Sequence, residues 1–186
     1  MRRLPGILLT GGTSSRMGID KASLVIDGES LAARAGRVLA EVCDPVIEVG
    51  PGLSGLYAIA DDIPATGPLG GLLKGTSALG VLGPVLLFAC DMPAVSSDTL
   101  RSIANYVGVG TVVPVDRAGV HQVVCARYSV AALERGAALL AAGSFSLQAL
   151  ADLPDAVIAD EWSENDCWAD VDTPADAHHF GIHLPG

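Results

Sequence analysis

Residues 7–21 read ILLTGGTSSRMGIDK, an apolar run that stops at two glycines and then delivers Arg16, Asp20 and Lys21. Ile7, Leu8 and Leu9 predict a buried first strand. A chain leaving that strand through Thr10, Gly11 and Gly12 carries no Cβ at the two glycines, so its backbone can approach a ligand closely. Successive N–H groups in such a turn form a nest suited to phosphate. A glycine pair after a strand is also an ordinary turn, and Arg16 and Lys21 alone are compatible with a solvated loop. Their company argues for a site: the chain holds only two lysines, and one stands here beside an arginine. Neither GxxxxGK[ST] nor GxGxxG occurs in this stretch, which disfavours a Walker-type ATPase and a Rossmann dehydrogenase.

The rest of the composition narrows the class. A length of 186 residues suits one domain with a sizeable core, spanning 1–186, with the final HHFGIHLPG from about 178 expected as a frayed tail. Half the residues are hydrophobic, yet no apolar run approaches the roughly 18 residues of a membrane span, so a soluble protein is expected. The apolar segment after Arg2 and Arg3 is too short for a signal peptide and runs into the glycine loop, which points to a cytoplasmic protein. Four scattered cysteines, Cys43, Cys90, Cys125 and Cys167, show no metal-ligand spacing and read as reduced thiols. A net charge of −10 argues against nucleic-acid partners.

Taken in order, the chain alternates strand and helix patterns, which predicts a single-domain, three-layer α/β/α fold with a mostly parallel, Rossmann-like sheet and a small antiparallel part. Residues 22–26 extend toward a turn at Asp27-Gly28. The first helix is expected over 30–43 with Leu31, Ala35, Val38, Leu39 and Val42 inward and Arg37 paired with Glu41. Strands are expected at 45–49, 56–60 and 85–89. Pro68 is pre-set for the first turn of a second helix. A third begins near Ser97 with Leu100, Ile103, Ala104 and Val107 inward. Residues 111–115 and 122–126 read as a strand pair, and helices follow over 131–142 and 145–153. Asp170 and Asp172 alternate along a short strand, so that only one faces a site, and Thr173-Pro174 opens a last helix with Asp176 at its favoured end.

The run LTGGTSSRMGIDK resembles the signature loop of the MobA-like nucleotidyltransferases, LAGGxSxRMGxDK, departing by Thr10 in place of alanine. The segment DDIPATGPLGG at 61–71 is similar to that family's DxxPxxGPLxG, CDMP at 90–93 to its CDxP, and DVDTPADA at 170–177 to its (N/D)x(N/D)TPEDL. The resemblance implies a nucleotide-diphospho-sugar transferase type of fold. It implies nucleotide binding by Leu9, Thr10, Gly11, Gly12, Lys21, Asp61, Gly67, Pro68, Leu69 and Asp91, with Arg16, Lys21 and Asp91 catalytic. Magnesium would be held by Asp91 and Asp170, with Asp172 as the second choice. His121 and Gln122 lie in the region that faces the acceptor in the family.

The implied reaction joins a phosphate of molybdopterin to GMP from GTP, releasing pyrophosphate. Within the resemblance Gly12 goes with guanine. A monomer is expected, with transient contacts to molybdopterin-supplying proteins or apo-molybdoenzymes. The alternatives are a cytidylyl- or sugar-phosphate nucleotidyltransferase on the same fold, and a non-catalytic nucleotide-binding or cofactor-delivery module.

Overall fold

The structure is a computed structural model that describes residues 3–11, 20–61, 66–108, 110–163 and 166–182. Gly6–Leu9 forms the first strand, β1, with Ile7 and Leu8 fully buried. Lys21–Ser23 then makes one 3-10 turn, capped by the Asp20 carboxylate, which accepts from the Ala22 N–H at 3.0 Å. Short strands β2 (Val25–Ile26) and β3 (Glu29–Ser30) form a hairpin around Asp27 and Gly28, both at positive φ, as a two-residue hairpin turn requires.

Helix α1 (Leu31–Ala40) starts on Ser30, whose hydroxyl accepts from Ala33 N. It is shorter than the expected 30–43, but all five of its expected inward residues are buried. Arg37 meets Glu41 at 3.5 Å and also Glu29 at 3.0 Å. Strands β4 (Val46–Val49) and β5 (Tyr57–Ile59) follow, then helix α2 (Gly67–Leu79) and strand β6 (Val85–Ala89), every residue of which is buried. Helix α3 (Ser97–Ala104) is capped by Ser96. It ends before Val107, which is 91% exposed rather than inward as expected.

Strands β7 (Val112–Pro114) and β8 (Cys125–Tyr128) pair antiparallel. The second lies three residues later than expected. The Cys125 N–H bonds back to the Gln122 carbonyl, so 122–124 form a turn. Helix α4 (Val130–Ala141) follows, and the helix expected over 145–153 contracts to one 3-10 turn at Gln148–Leu150. Strand β9 (Val157–Ala159) was not expected: it is a short edge strand with Val157 and Ile158 partly exposed, too brief to carry an alternating pattern.

The sheet order is β5-β4-β1-β6-β8-β7-β9, parallel at every junction except the two that involve β8. Leu8, Leu86 and Phe88 turn one face of the sheet toward α1 and α3, while Ile7, Leu9, Leu87 and Tyr128 turn the other toward α2 and α4. The expected three-layer α/β architecture with a small antiparallel part is therefore present. No described helix is long and apolar enough to cross a membrane.

Two corrections concern the C-terminal segment. Residues 170–172 form no strand; they follow a 3-10 turn, Asp166–Trp168, and lead into helix α5 (Pro174–His179). Thr173 and Asp176 cap that helix reciprocally. The tail expected to fray from 178 instead docks as far as Ile182, which is buried with Leu24, Leu31, Val171 and Ala177.

Helix α2 approaches β1 through small residues. A Cβ on Gly75 would stand 2.7 Å from the Ile7 side chain, and one on Gly71 2.7 Å from Leu9. Gly75→Val should therefore lower the unfolding free energy by about 1–3 kcal/mol through overpacking. Gly83→Ala, whose added Cβ meets nothing within 4 Å, should leave the urea midpoint unchanged.

Candidate active site

The site stands at the carboxyl ends of the parallel strands, where open α/β sheets gather their ligands. The ladder of β1 runs one residue past its last paired position on both sides. The Thr10 N–H bonds to the Val49 carbonyl at 3.2 Å, and the Cys90 N–H bonds to the Leu9 carbonyl at 3.1 Å. These two bonds align the glycine turn with the end of β6. Leu9, Thr10, Gly11, Asp20, Lys21, Pro68, Cys90, Asp91 and Val124 all line one cleft.

At the cleft, the Lys21 ammonium is bonded to the Asp172 carboxylate and stands 4.0 Å from Asp91 Oδ2. The Val171 N–H bonds to the Asp91 carbonyl at 2.9 Å, which ties the Asp170–Asp172 segment alongside Asp91. Burial pushes the Asp91 carboxyl above the usual carboxylate range; Lys21 opposes this, and the charges of Asp170 and Asp172 add to it. Asp170 is raised likewise, by burial and then by Asp172. Both acids thus act on the same centre, although Val171 between them is buried away from it.

Asp91 Oδ1 is buried and has no hydrogen-bond partner among the described residues. An orphaned carboxylate oxygen beside two more acids suits a divalent cation. No group of three His, Cys, Asp or Glu side chains among the described residues could enclose one. Magnesium takes few protein ligands and completes its shell with water and phosphate oxygens, so the donor set fits that ion.

Two further segments carry residues expected from the sequence to belong to the site. The Asp61 carboxylate flanks Gly11, since a Cβ on that glycine would stand 3.5 Å from Asp61 Oδ2. Gly67 adopts φ +59, a conformation that glycine supplies without strain, and Pro68 follows it at the start of α2. Leu69 is fully buried under the helix, so its side chain serves packing. Gly12 and Arg16 lie outside the described residues.

His121 and Gln122 sit apart in the loop before β8. His121 Nδ1 pairs with Gln148 Nε2 at 2.6 Å. Gln122 is buried and donates to Asp116 Oδ2 and the Val120 carbonyl, both at 3.3 Å, so its amide is engaged within its own loop. Neither lines the cleft described above.

Sequence reasoning missed Glu48. This carboxylate is 0% exposed in β4, yet five donors converge on it: the Thr10 hydroxyl, the N–H groups of Gly52, Leu53 and Ser54, and the Ser54 hydroxyl. Its signal in the sequence is an acid inside the apolar strand VIEV, directly before the glycine- and serine-rich run 50–55 that supplies the N–H groups.

The model of the MobA-like NTP transferase domain matches residues 6–156. The chain is 33% identical over 164 residues to a Mycobacterium marinum protein named "Probable molybdenum cofactor guanylyltransferase", covering 82% of this chain and 81% of that one. A Mycobacterium tuberculosis protein of the same name is 31% identical over 166 residues, with 83% and 82% covered. Among solved structures, molybdopterin-guanine dinucleotide biosynthesis protein A from Archaeoglobus fulgidus superposes with a TM-score of 0.76 at 17% identity, over 95% of this chain and 96% of that one. A 2-C-methyl-D-erythritol 4-phosphate cytidylyltransferase from Thermus thermophilus shares the fold at a TM-score of 0.68 and 16% identity, over 93% and 95%.

The hydrogen bonds to Glu48 outweigh the opposing effect of burial and hold its carboxyl below the ordinary range. A depressed folded value means that the contribution is complete above the unfolded value of about 4.3 and is lost as pH falls through the folded one. Glu48→Gln should therefore cost on the order of 2 kcal/mol in urea unfolding at pH 7. That difference should shrink when the same pair is compared below about pH 4.

Proposed function

Because the chain belongs to the MobA-like NTP transferase family, we propose that it transfers GMP from GTP to a phosphate of molybdopterin, with release of pyrophosphate. The observation that carries this reading is the shared cleft. Gly11, Lys21 and Asp91 line one space, at the strand ends where a nucleoside triphosphate would meet an acceptor. The guanine assignment draws on the names of the mycobacterial relatives and on the glycine at position 12.

Transfer forms a bond between an acceptor phosphate oxygen and the α-phosphorus of GTP, and breaks the bond from that phosphorus to the bridging oxygen of pyrophosphate. Both reactants are anions, so the chain's task is to neutralise and align them. The backbone N–H of Gly11, with that of Gly12, donates to the phosphates, as an anion nest does. Lys21 exchanges the Asp172 carboxylate for the charge that accumulates on the leaving pyrophosphate, with Arg16 in the same role. Asp61, beside Gly11, accepts from the ribose or base. A magnesium ion held by Asp91, with Asp170 and Asp172 alongside, would supply charge neutralisation at the reacting phosphates. A phosphate monoester is already ionised near neutral pH, so no side chain has to act as a strong base and none as a nucleophile.

Two measurements test this reading. Pyrophosphate release with molybdopterin and magnesium should favour GTP over CTP, ATP and UTP, and a preference for CTP would overturn the assignment. Lys21→Ala and Asp91→Asn should each lower kcat roughly 10²- to 10³-fold, as loss of one charge-stabilising group does. Their circular dichroism spectra should remain those of the parent.

A further inference from the structure

Glu48 reaches no ligand space and yet carries more hydrogen bonds than its own strand needs. Oε1 accepts from Gly52 N at 2.7 Å, Leu53 N at 3.0 Å and the Thr10 hydroxyl, while Oε2 accepts from Ser54 N at 2.8 Å and the Ser54 hydroxyl. Four of the five donors belong to residues 52–54. The fifth belongs to the residue that opens the phosphate turn, 38 positions earlier in the chain.

The two segments are pressed together as well as bonded. A Cβ on Gly50 would stand 2.1 Å from Thr10 Oγ1 and 2.8 Å from Gly11 N, so the backbone after β4 lies directly against the turn. On its other side the 52–54 run is wedged against α1, where a Cβ on Gly36 would meet Ser54 Cβ at 2.9 Å. The carboxylate therefore connects a turn that would face phosphate to a loop buttressed by a helix. Thr10 itself is 6% exposed, and its N–H is already committed to Val49, so its hydroxyl anchors the turn instead of facing solvent.

We propose that Glu48 is a positioning residue for the nucleotide: by holding the Thr10 hydroxyl it fixes the Thr10–Gly11 backbone that receives the triphosphate, and it touches no substrate itself. The inference rests on the proposed function above, which puts a nucleoside triphosphate on this turn. It also gives a physical role to Thr10, the one position where the loop departs from the alanine of the pattern it resembles: a buried hydroxyl needs an acceptor, and Glu48 supplies it.

The test is a double-mutant cycle of Glu48→Gln and Thr10→Val, with two readouts. The first is GTP affinity by calorimetry with magnesium, alongside the split between KM and kcat. Each single variant should weaken GTP binding and raise KM roughly tenfold, the scale of groups that orient a ligand's direct contacts. Glu48→Gln added to Thr10→Val should weaken binding by less than about twofold more, because its route to the nucleotide is already cut. An equal loss in both backgrounds, or no loss in either, would overturn the proposal. Thr10→Val leaves the four donors of the 52–54 loop on Glu48, so it keeps the test valid if Glu48→Gln folds poorly.

The second readout needs no nucleotide. In the free protein the Thr10 N–H, bonded to Val49, should exchange with deuterium faster in either single variant, and no faster in the double. If the parent binds no nucleoside triphosphate, the proposed function fails. Exchange then decides the anchoring role by itself: unchanged protection at Thr10 in Glu48→Gln overturns it, and lost protection sustains it.

Discussion

The site depends on a ladder of parallel hydrogen bonds that continues past the ends of its strands. β1 is the strand shared by β4 on one side and β6 on the other, and its last carbonyl and next N–H still pair with Cys90 and Val49. Those bonds turn three separate loop starts into one surface: the Gly11 turn, the 50–55 loop and the Asp91 segment. Because ladder geometry is rigid, the position of Gly11 relative to the Asp91 segment is fixed by backbone and not by long side chains. Glu48 adds a side-chain tie between the first two loops, and the Val171 N–H adds a backbone tie to the third.

Charge gives that surface its character. In a chain with 21 acidic and 11 basic residues, a carboxylate-lined cleft is repulsive toward phosphate unless a cation is held in it. Lys21 is such a cation, held between Asp172 and Asp91. Other basic groups serve structure: Arg127 is buried and donates to the carbonyls of Ala104, Tyr106, Gly108 and Gly110, and Arg34 donates to the Pro93 carbonyl. Among the described residues that line the cleft, Lys21 carries the positive charge, and in the proposed mechanism it sits at the reacting phosphates.

Much of the architecture was legible because periodicity and caps say the same thing. The β1 and β6 runs, the inward face of α1, the start of α3 near Ser97 and the start of α5 at Thr173-Pro174 were all readable from spacing. What escaped was set by contacts that no periodic pattern encodes. The turn at 122–124 forms where side chain and carbonyl of Gln122 both turn back on the loop, and β9 exists because β7 offers it an edge. Val107 passes the helix end that periodicity would have continued. At the candidate site, local pattern drew attention to Gly11 and Asp91, which line one cleft. For Glu48 the sequence offers an acid inside an apolar strand beside the 50–55 run, but its bond to Thr10, 38 positions away, follows from no local pattern. Asp170 and Asp172 were expected to point to opposite sides of a strand, yet in an irregular segment both reach the field of Asp91.

The packed C-terminal segment has a consequence for how the protein is made. Asp172 follows Lys21 by 151 residues, and the strap that carries it is held by Val171, Ala177 and Ile182 against Leu24 and Leu31 near the other end of the chain. Synthesis releases the amino-terminal part first, so the glycine turn and Asp91 can assemble while Asp170 and Asp172 are still missing. A nascent chain at that stage carries the Lys21 ammonium beside Asp91 but without its Asp172 partner. Because 166–182 follows β1 and β6 in the chain, its docking brings Asp170 and Asp172 to a sheet whose central strands are already made, and closes the charge balance around Lys21.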